Sequence, residues 1–251
     1  MIGIAGKLLL IFAQSGAVVF TDKGYVLGGS GSDGSALSDT DEYVNDTWTS
    51  KSDVPAPDRI HASSMSLINR GYILGGHIVG SDLMDTDSYV HNTWTNKTDM
   101  PSPGRYYASA LAISDKGYIF GGFGGTDLSD TDEYVPDVWA SKTAMVAPAR
   151  RTATATTIND KGYVFCGYDG ASELADNDEY GSDTWVSKTD MPAPARMNSA
   201  AIAINSKGYI IGGYGGGIYL EDTDEYVVDT WVSKSPMVNP SQRYSFDGVT
   251  I

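Results

Sequence analysis

The sequence predicts an all-β protein assembled from five copies of one unit of four short strands. The stretch KGYIFGGFGGTDLSDTDEYVPDVW, residues 116–139, returns four more times with small changes. The first glycine of each Gly-Tyr pair recurs every 45 to 47 residues, at Gly24, Gly71, Gly117, Gly162 and Gly208. Units of this size cannot bury a core alone, so they must stack on one another. The 29 glycines favour many tight turns over long helices.

The third copy illustrates the predicted strands. Ala108, Ala110 and Ala112 alternate with other residues along its first strand, so they share one face. Small residues at such positions suit an innermost strand that is crowded around a central axis. The predicted strands of this copy are RYYASALAI, KGYIFGG, TDEYV and a fourth that begins at Val138-Trp139.

Two motifs repeated in every copy resemble the kelch repeat, in which paired glycines follow an apolar strand and a tyrosine and a tryptophan come later. GYVLGG, GYILGG, GYIFGG, GYVFCG and GYIIGG carry the first motif. EYVNDTW, SYVHNTW, EYVPDVW, EYGSDTW and EYVVDTW carry the second. The resemblance covers essentially the whole chain and implies a single kelch-type β-propeller domain with five four-stranded antiparallel blades. The repeats run approximately over 12–58, 59–104, 105–149, 150–195 and 196–242, with a closing strand at 243–251.

The first strand of the unit occurs six times, once more than the other strands. Five of these copies open with arginine, whereas the N-terminal copy opens with Phe12. Kelch propellers commonly close by letting one terminus complete the blade begun by the other. We therefore expect the C-terminal strand to join the first blade, with residues 1–20 displaced, packed outside or shared in the closure. A truncated chain, or an edge that pairs with another subunit, stays open as an alternative.

The N-terminal segment supports two interpretations. Lys7, the apolar run LLLIFA and the small residues that follow resemble a weak signal peptide. The same region also continues the register of the repeat and can form a strand. We expect nothing in the chain to be long enough to span a membrane. The compartment stays open, with secretion, the cell surface or a virion among the possibilities.

Charge and cysteine content limit the classes of partner and chemistry. The formal net charge is −15, so repulsion makes nucleic acid and anionic membrane surfaces poor partners. The single cysteine, Cys166, rules out an intrachain disulfide and replaces a glycine of the other copies. We interpret it as a small buried residue. The carboxylates spaced two apart in each copy, such as Asp130 to Glu133, are interpreted as solvated edge groups and turn caps, because they lack the glycine turn of a calcium loop.

Antiparallel strand order places the start of strand one and the residues after the paired glycines around one mouth of the channel. Five of the seven arginines occupy one repeat position on that face. In the kelch family this position often supplies arginines to a pocket for acidic peptide segments, and a guanidinium matches a carboxylate pairwise. The alternative is that each arginine pairs with a local acid or carbonyl and fastens the loops. These arginines are Arg59, Arg105, Arg150, Arg196 and Arg243.

The residues beside these arginines and after the paired glycines vary between copies. A constant frame with a varied rim is typical of a binding surface on a rigid scaffold, although drift in exposed loops would give the same pattern. The aromatic members offer flat faces on which a sugar or an apolar side chain can stack. The candidate ligand-binding residues of the rim are His61, His77, Tyr106, Tyr107, Phe123, Tyr168, Tyr214 and Tyr244.

The sequence favours a non-catalytic binding module that captures a protein or acidic peptide at this face. The alternative, a structural or adhesive component, would meet glycans or neighbouring subunits through the aromatic rim. A third hypothesis, a fragment similar to the galactose-oxidase group of kelch copper enzymes, would have only His61, His77, His91 and Cys166 as material. Since no nucleophile, phosphate or metal motif of the usual spacing is present, we expect neither catalytic residues nor a cofactor. The oligomeric state is left open.

Overall fold

The computed structural model describes residues 11–12, 16–20, 23–238 and 246–247. All regular secondary structure of these residues is β-strand. No helix that is long and apolar enough to cross a membrane occurs among them. In chain order the strands are β1 Ile11–Phe12, β2 Gly16–Phe20, β3 Lys23–Ser30, β4 Ala36–Val44, β5 Thr47–Ser50, β6 Ser63–Leu67, β7 Arg70–Leu74, β8 His77–Ile78, β9 Ser81–Asp82, β10 Thr86–Val90, β11 Thr93–Asn96, β12 Ser109–Ile113, β13 Lys116–Phe120, β14 Thr131–Val135, β15 Val138–Ser141, β16 Thr154–Ile158, β17 Lys161–Phe165, β18 Asn177–Gly181, β19 Thr184–Ser187, β20 Ala200–Ile204, β21 Lys207–Ile211, β22 Tyr214–Gly215, β23 Ile218–Tyr219, β24 Thr223–Val227, β25 Thr230–Ser233 and β26 Phe246–Asp247.

Twenty of these strands form the five predicted antiparallel sheets. Each sheet follows chain order from its inner to its outer strand, and the repeated tyrosine of the third strand lies opposite the repeated tryptophan of the fourth, as Tyr134 does opposite Trp139. The arrangement is a five-bladed β-propeller, which confirms the predicted fold. The blades are β2-β3-β4-β5, β6-β7-β10-β11, β12-β13-β14-β15, β16-β17-β18-β19 and β20-β21-β24-β25.

The inner strands of all five blades surround a central cavity of about 280 Å³. Its wall includes Ala110 and Ala112, which confirms that small residues of strand one face the axis. Short side chains are needed because five strands converge on this space. The equivalent small residues of the other blades on this wall are Ala17, Ser64, Ala155 and Ala201.

The hydrophobic cores lie between adjacent blades. Phe20 and Leu27 of the first blade pack with Ile73 and Tyr89 of the second in one buried cluster. Hydrogen bonds from four tryptophans also connect adjacent blades. Each indole N–H donates to a backbone carbonyl in the segment that follows the fourth strand of the preceding blade. A single unit therefore has no complete core, which explains why the chain repeats it. The four hydrogen bonds are Trp94 to Ser52 at 2.9 Å, Trp139 to Thr98 at 3.0 Å, Trp185 to Thr143 at 3.0 Å and Trp231 to Thr189 at 2.9 Å.

Ring closure differs from the expectation that the C-terminal strand completes the first blade. The inner strand of that blade is the N-terminal β2, which pairs with β3 along its length. The C-terminal β26 pairs instead with β1, outside the five sheets. A strand next to its partner in sequence loses less chain entropy on pairing than one from the far end of the chain. The two ends thus share the closure.

Candidate ligand-binding site

The mouth of the channel brings together the two segments that sequence analysis predicted would meet. In each of blades two to five, the residue after the repeated arginine forms an antiparallel bridge with the residue after the paired glycines. These residues project from rigid strand ends, so the fold fixes the positions of their backbones. The bridged pairs are Ile60 with His77, Tyr106 with Phe123, Arg151 with Tyr168 and Met197 with Tyr214.

The next residue of each blade has a left-handed backbone, although none of the four is glycine. Their φ angles are 57° for His61, 56° for Tyr107, 51° for Thr152 and 54° for Asn198. A left-handed residue other than glycine costs about 1–2 kcal/mol, which the surrounding structure must offset. Hydrogen bonds between blades supply part of that offset: the N–H of Tyr107 donates to His61 O at 3.1 Å, that of Thr152 to Tyr107 O at 2.9 Å and that of Asn198 to Thr152 O at 3.0 Å. This chain of bonds aligns the mouth from blade to blade.

The repeated arginines do not line the mouth. Arg59, Arg105, Arg150 and Arg196 are at most 1% exposed. Each guanidinium forms an ion pair with an aspartate of the third strand of its own blade, which corrects the expectation that they face a ligand. Arg243 and Tyr244 lie outside the described residues. The pairs are Arg59 with Asp87 at 3.0 Å, Arg105 with Asp132 at 2.8 Å, Arg150 with Asp178, and Arg196 with Asp224 at 2.9 Å.

The backbone of the same arginines connects neighbouring blades. The N–H of Gly76 donates to Arg105 O at 2.9 Å, and Gly122 and Gly167 make the same bond to Arg150 and Arg196. Arg105, Arg150 and Arg196 thus each join a charge pair within their own blade to a backbone contact with the preceding blade. The alternative from the sequence, that each arginine pairs with a local acid and holds the loops in place, fits these four arginines.

The glutamate of the acidic motif is also buried, which corrects the interpretation of all its carboxylates as solvated. Glu133, only 7% exposed, accepts hydrogen bonds from Tyr118 at 2.7 Å and Lys116 at 3.1 Å, and Lys142 lies 3.2 Å away. Such burial is compatible with charge because each carboxylate is paired and hydrogen-bonded. The equivalent glutamates of three other blades, Glu42, Glu179 and Glu225, have the same three kinds of partner.

Blade two lacks one hydrogen bond that the other blades make to the buried aspartate. In blade three, Ser141 Oγ donates to Asp132 Oδ1 at 2.7 Å. In blade two Asn96 lies opposite Asp87, and the buried Asp87 Oδ1 has no hydrogen-bond partner among the described residues. We expect Asn96→Ser to raise the free energy of unfolding by about 1–2 kcal/mol, since a hydrogen bond to a buried charge is restored. Urea denaturation measures this gain. The reverse change, Ser141→Asn, should lose a similar amount, and a gain from both substitutions would contradict the argument.

The same aspartate should make this gain depend on pH. Burial raises the pKa of Asp87 from its ordinary value of 3.8 to about 6, against the lowering effect of Arg59. Because the folded state binds this proton more tightly, the stability contributed by Asp87 is present below pH 3.8 and lost as the pH rises through 6. A donated hydrogen bond favours the carboxylate, so the gain from Asn96→Ser should be full above pH 6 and small near pH 4. Denaturation at both pH values measures the difference.

Six of the predicted rim residues converge, and we name His61, His77, Tyr106, Tyr107, Phe123 and Tyr168, together with Arg151, the aromatic cluster. Its members come from blades two, three and four and are all half-buried. Tyr106 lies at the centre, with ring centroids 4.8 Å from His77, 4.9 Å from Tyr107 and 5.5 Å from Phe123. Contacts in this range add to the stabilisation from burial. The cluster therefore presents a surface of adjoining rings.

Polar contacts hold the two ends of the aromatic cluster. At one end, His61 Nε2 and Tyr107 Oη form a hydrogen bond of 2.9 Å, and His77 Nδ1 lies 2.8 Å from Asp82 Oδ1. At the other end, the Arg151 guanidinium lies over two rings, with its carbon 4.8 Å from the Phe123 centroid and 5.0 Å from that of Tyr168. Arg151 also donates to Asp127 Oδ1 at 2.9 Å.

Burial sets the protonation of the first of these pairs. It lowers the pKa of His61 to about 4, with a further contribution from His77. It also raises the pKa of Tyr107 to about 12, with a further contribution from Tyr106. Both side chains are therefore neutral at pH 7, and the Tyr107–His61 bond carries no net charge. The other polar contacts of the site are the Arg151–Asp127 ion pair and the contact between His77 and Asp82.

Two features of the site differ from the sequence-based expectation. Tyr214 packs against Tyr219 within its own β22–β23 hairpin, with centroids 5.4 Å apart, and makes no ring contact with the aromatic cluster among the described residues. Arg151 was not predicted, although it occupies the variable position beside a repeated arginine. Its departure from the Ile, Tyr and Met of the other copies is the signal that could have identified it.

The residues considered for copper chemistry are dispersed. His91 lies in the turn between β10 and β11, at the end of the blade remote from the mouth. Cys166 is fully buried, and its Sγ lies 3.1 Å from Ser199 Oγ. Burial raises the pKa of its thiol. Across residues 16–20 and 23–238, there is no group of three or more His, Cys, Asp or Glu side chains that could hold a metal ion.

Comparisons with known proteins bear on the fold. No family model matches the chain, and no curated protein sequence matches it. The chain is similar to the solved structure titled "Structure of YjhT", with a TM-score of 0.81 over 95% of this chain and 87% of that one. Since the two sequences are 16% identical, this likeness concerns the fold alone. The five four-stranded sheets identify the chain as a β-propeller of five blades, and the similar structure agrees with its overall fold.

Proposed function

We propose that the protein is a non-catalytic binding module that captures a partner segment on the aromatic cluster. The observation that carries the proposal is the convergence of six varied rim residues into one half-buried surface at the channel mouth. Aromatic side chains are enriched where proteins bind partners, because they bury a large area at a small entropic loss. The repeated frame around them supplies the rigidity that a binding surface needs.

The kelch resemblance would place an acidic peptide on the repeated arginines. Ligand binding there would require guanidinium groups that are free and accessible, but four of them are buried and paired with aspartates. Breaking such a pair to bind a ligand would leave a buried aspartate without its countercharge. The aromatic cluster is therefore the better candidate for the ligand-binding surface of this module.

A second candidate is a structural or adhesive component that meets glycans through the same rings. The partly exposed faces of Tyr106 and Phe123 favour it, since sugars stack on flat aromatic faces. Light scattering distinguishes the two roles. A stable oligomer would favour the structural component, and a monomer would favour the binding module.

Binding and its location can be tested by thermal shift against basic peptides, acidic peptides and neutral saccharides. A ligand at about 100 times its dissociation constant adds roughly 2.7 kcal/mol, which should raise the midpoint by about 5–10 °C for a chain of this size. We expect the double substitution Tyr106→Ala and Phe123→Ala to abolish the shift. Tyr214→Ala, at the same mouth but outside the aromatic cluster, should retain it. Loss in Tyr214→Ala together with retention in the double variant would refute this location.

A further inference from the structure

We propose that the aromatic cluster binds a cation, namely the guanidinium or ammonium group of a basic segment in a partner protein. This inference rests on the proposed function and adds the chemical class of the ligand. The repeated arginines suggested a negatively charged ligand, whereas this inference gives the ligand a positive charge. Three features of the molecule support it: the Arg151 guanidinium within the cluster, the carboxylate beside Tyr106 and the net charge of the protein.

Arg151 demonstrates how the site accommodates a cation. Its guanidinium lies over Phe123 and Tyr168, and Asp127 neutralises it through a hydrogen bond of 2.9 Å. Attraction between a cation and the negative face of an aromatic ring is strongest where the site is partly desolvated. This half of the cluster therefore combines two rings, one carboxylate and one cation.

The half centred on Tyr106 also has rings and a carboxylate, but none of its described residues is an arginine or a lysine. His77, Tyr107 and Phe123 surround the half-buried Tyr106 ring, and the partly exposed carboxylate of Asp82 is positioned by His77 at 2.8 Å. Burial raises the pKa of Tyr106, and Asp82 adds to the rise, whereas the opposing effect of Arg151 exceeds the contribution of its partner Asp127. A cation placed against Tyr106 would meet ring faces together with the Asp82 carboxylate.

The charge of the whole protein favours the same class of ligand. A net charge of −15 attracts basic segments and raises their association rate, whereas it repels acidic peptides. Arginine suits the site better than lysine, because its planar guanidinium stacks on rings and is more weakly hydrated. Since nucleic acids and anionic membranes carry the wrong charge, the occupant is a basic segment of a protein.

Titration calorimetry with four probes tests the inference: an alternating Gly-Arg octapeptide, its Gly-Lys and Gly-Glu counterparts, and a neutral oligosaccharide. We expect the Gly-Arg peptide to bind most tightly. Tyr106→Leu, which removes the ring, should weaken binding about 3- to 30-fold, and Tyr106→Phe, which retains it, should not. Asp82→Asn should also weaken binding. Asp115→Asn, an equal charge change in the exposed β12–β13 turn at the opposite end of the blade, should leave affinity unchanged.

Arg151→Ala distinguishes the ligand classes most sharply. If the site takes cations, this change removes a competing cation and leaves Asp127 for the ligand, so the Gly-Arg peptide should bind several-fold more tightly. An anion held by Arg151 would instead bind more weakly. Tighter binding of Gly-Glu than of Gly-Arg, or weaker Gly-Arg binding by Arg151→Ala, would overturn the inference.

Two other results would overturn it in different ways. Equal losses in Asp82→Asn and Asp115→Asn would mean diffuse attraction to an acidic protein in place of a cation site. Binding of the oligosaccharide alone, abolished by Tyr106→Leu, would exclude the cation while leaving the aromatic cluster as the binding surface. If none of the four probes binds, the cation inference and the proposed function fail together.

Discussion

Replacing Arg105 by alanine is expected to lower the free energy of unfolding by about 3–5 kcal/mol. Its side chain is fully buried and forms a 2.8 Å ion pair with Asp132, which is itself only 2% exposed. Removal of the guanidinium leaves a carboxylate in a site without its countercharge, and that desolvation accounts for most of the loss. Urea denaturation followed by tryptophan fluorescence measures it, and each kcal/mol should lower the melting midpoint by roughly 2–4 °C.

Two variants control this experiment. The double change Arg105→Met with Asp132→Leu removes both charges and should recover much of the stability, since apolar residues can replace a buried ion pair. Arg151→Ala removes a partly exposed arginine at the mouth and should cost no more than about 1 kcal/mol. If Arg105→Ala left stability unchanged and abolished binding of an acidic peptide, the repeated arginines would return as the ligand-binding residues.

Much of the fold could be predicted from the sequence because the repeat limits the choices. Each motif occurs five times, so a strand that is uncertain in one copy can be assigned from the others. The positions of Gly, Tyr and Trp then fix the order of the strands. The predicted TDEYV strand coincides with Thr131–Val135, and KGYIFGG contains Lys116–Phe120. Closure was harder, because a copy of the first strand occurs at both ends of the chain and composition does not determine which copy pairs with β3.

The sequence did not reveal that the side chains of the repeated arginines are buried. Strand order correctly placed Arg59 and its equivalents near the mouth, but whether a side chain points outward or folds into the blade depends on its partners. The partner was present in the sequence as the aspartate of the TDE motif, as Asp132 is for Arg105. When two residues of opposite charge both recur from copy to copy, they indicate an ion pair that supports the fold.

The repeat positions whose residues vary between copies located the aromatic cluster better than the constant positions did. His77, Tyr106 and Phe123 lie at positions that differ from blade to blade, and the structure brings them together. The same criterion applied to single residues would have included Arg151. Asp82 in β9 and Asp127 were missed although they occupy one repeat position, before Leu83 and Leu128, because only the folded chain places them beside the rings.

Gly121→Ala is expected to lower the free energy of unfolding by about 2–4 kcal/mol. The backbone at Gly121 is left-handed, with φ of +56°, and an added Cβ would lie 2.5 Å from Arg150 O and 3.1 Å from Leu128 O. Backbone oxygens cannot move aside as the end of a flexible side chain does, so blades three and four must separate slightly. Thermal and urea denaturation measure the loss.

Gly125→Ala separates this contact from the backbone conformation. Gly125 has φ of +86° with no heavy atom within 4 Å of an added Cβ, so its substitution should cost only the left-handed conformation, about 1–2 kcal/mol. Cys166 occupies the position equivalent to Gly121 in blade four with φ of 54°, so blade four accommodates both this conformation and a Cβ, whereas blade three has no side chain to accommodate there. The difference between Gly121→Ala and Gly125→Ala should therefore report the close approach of neighbouring blades. Equal losses would mean that conformation alone accounts for the paired glycines.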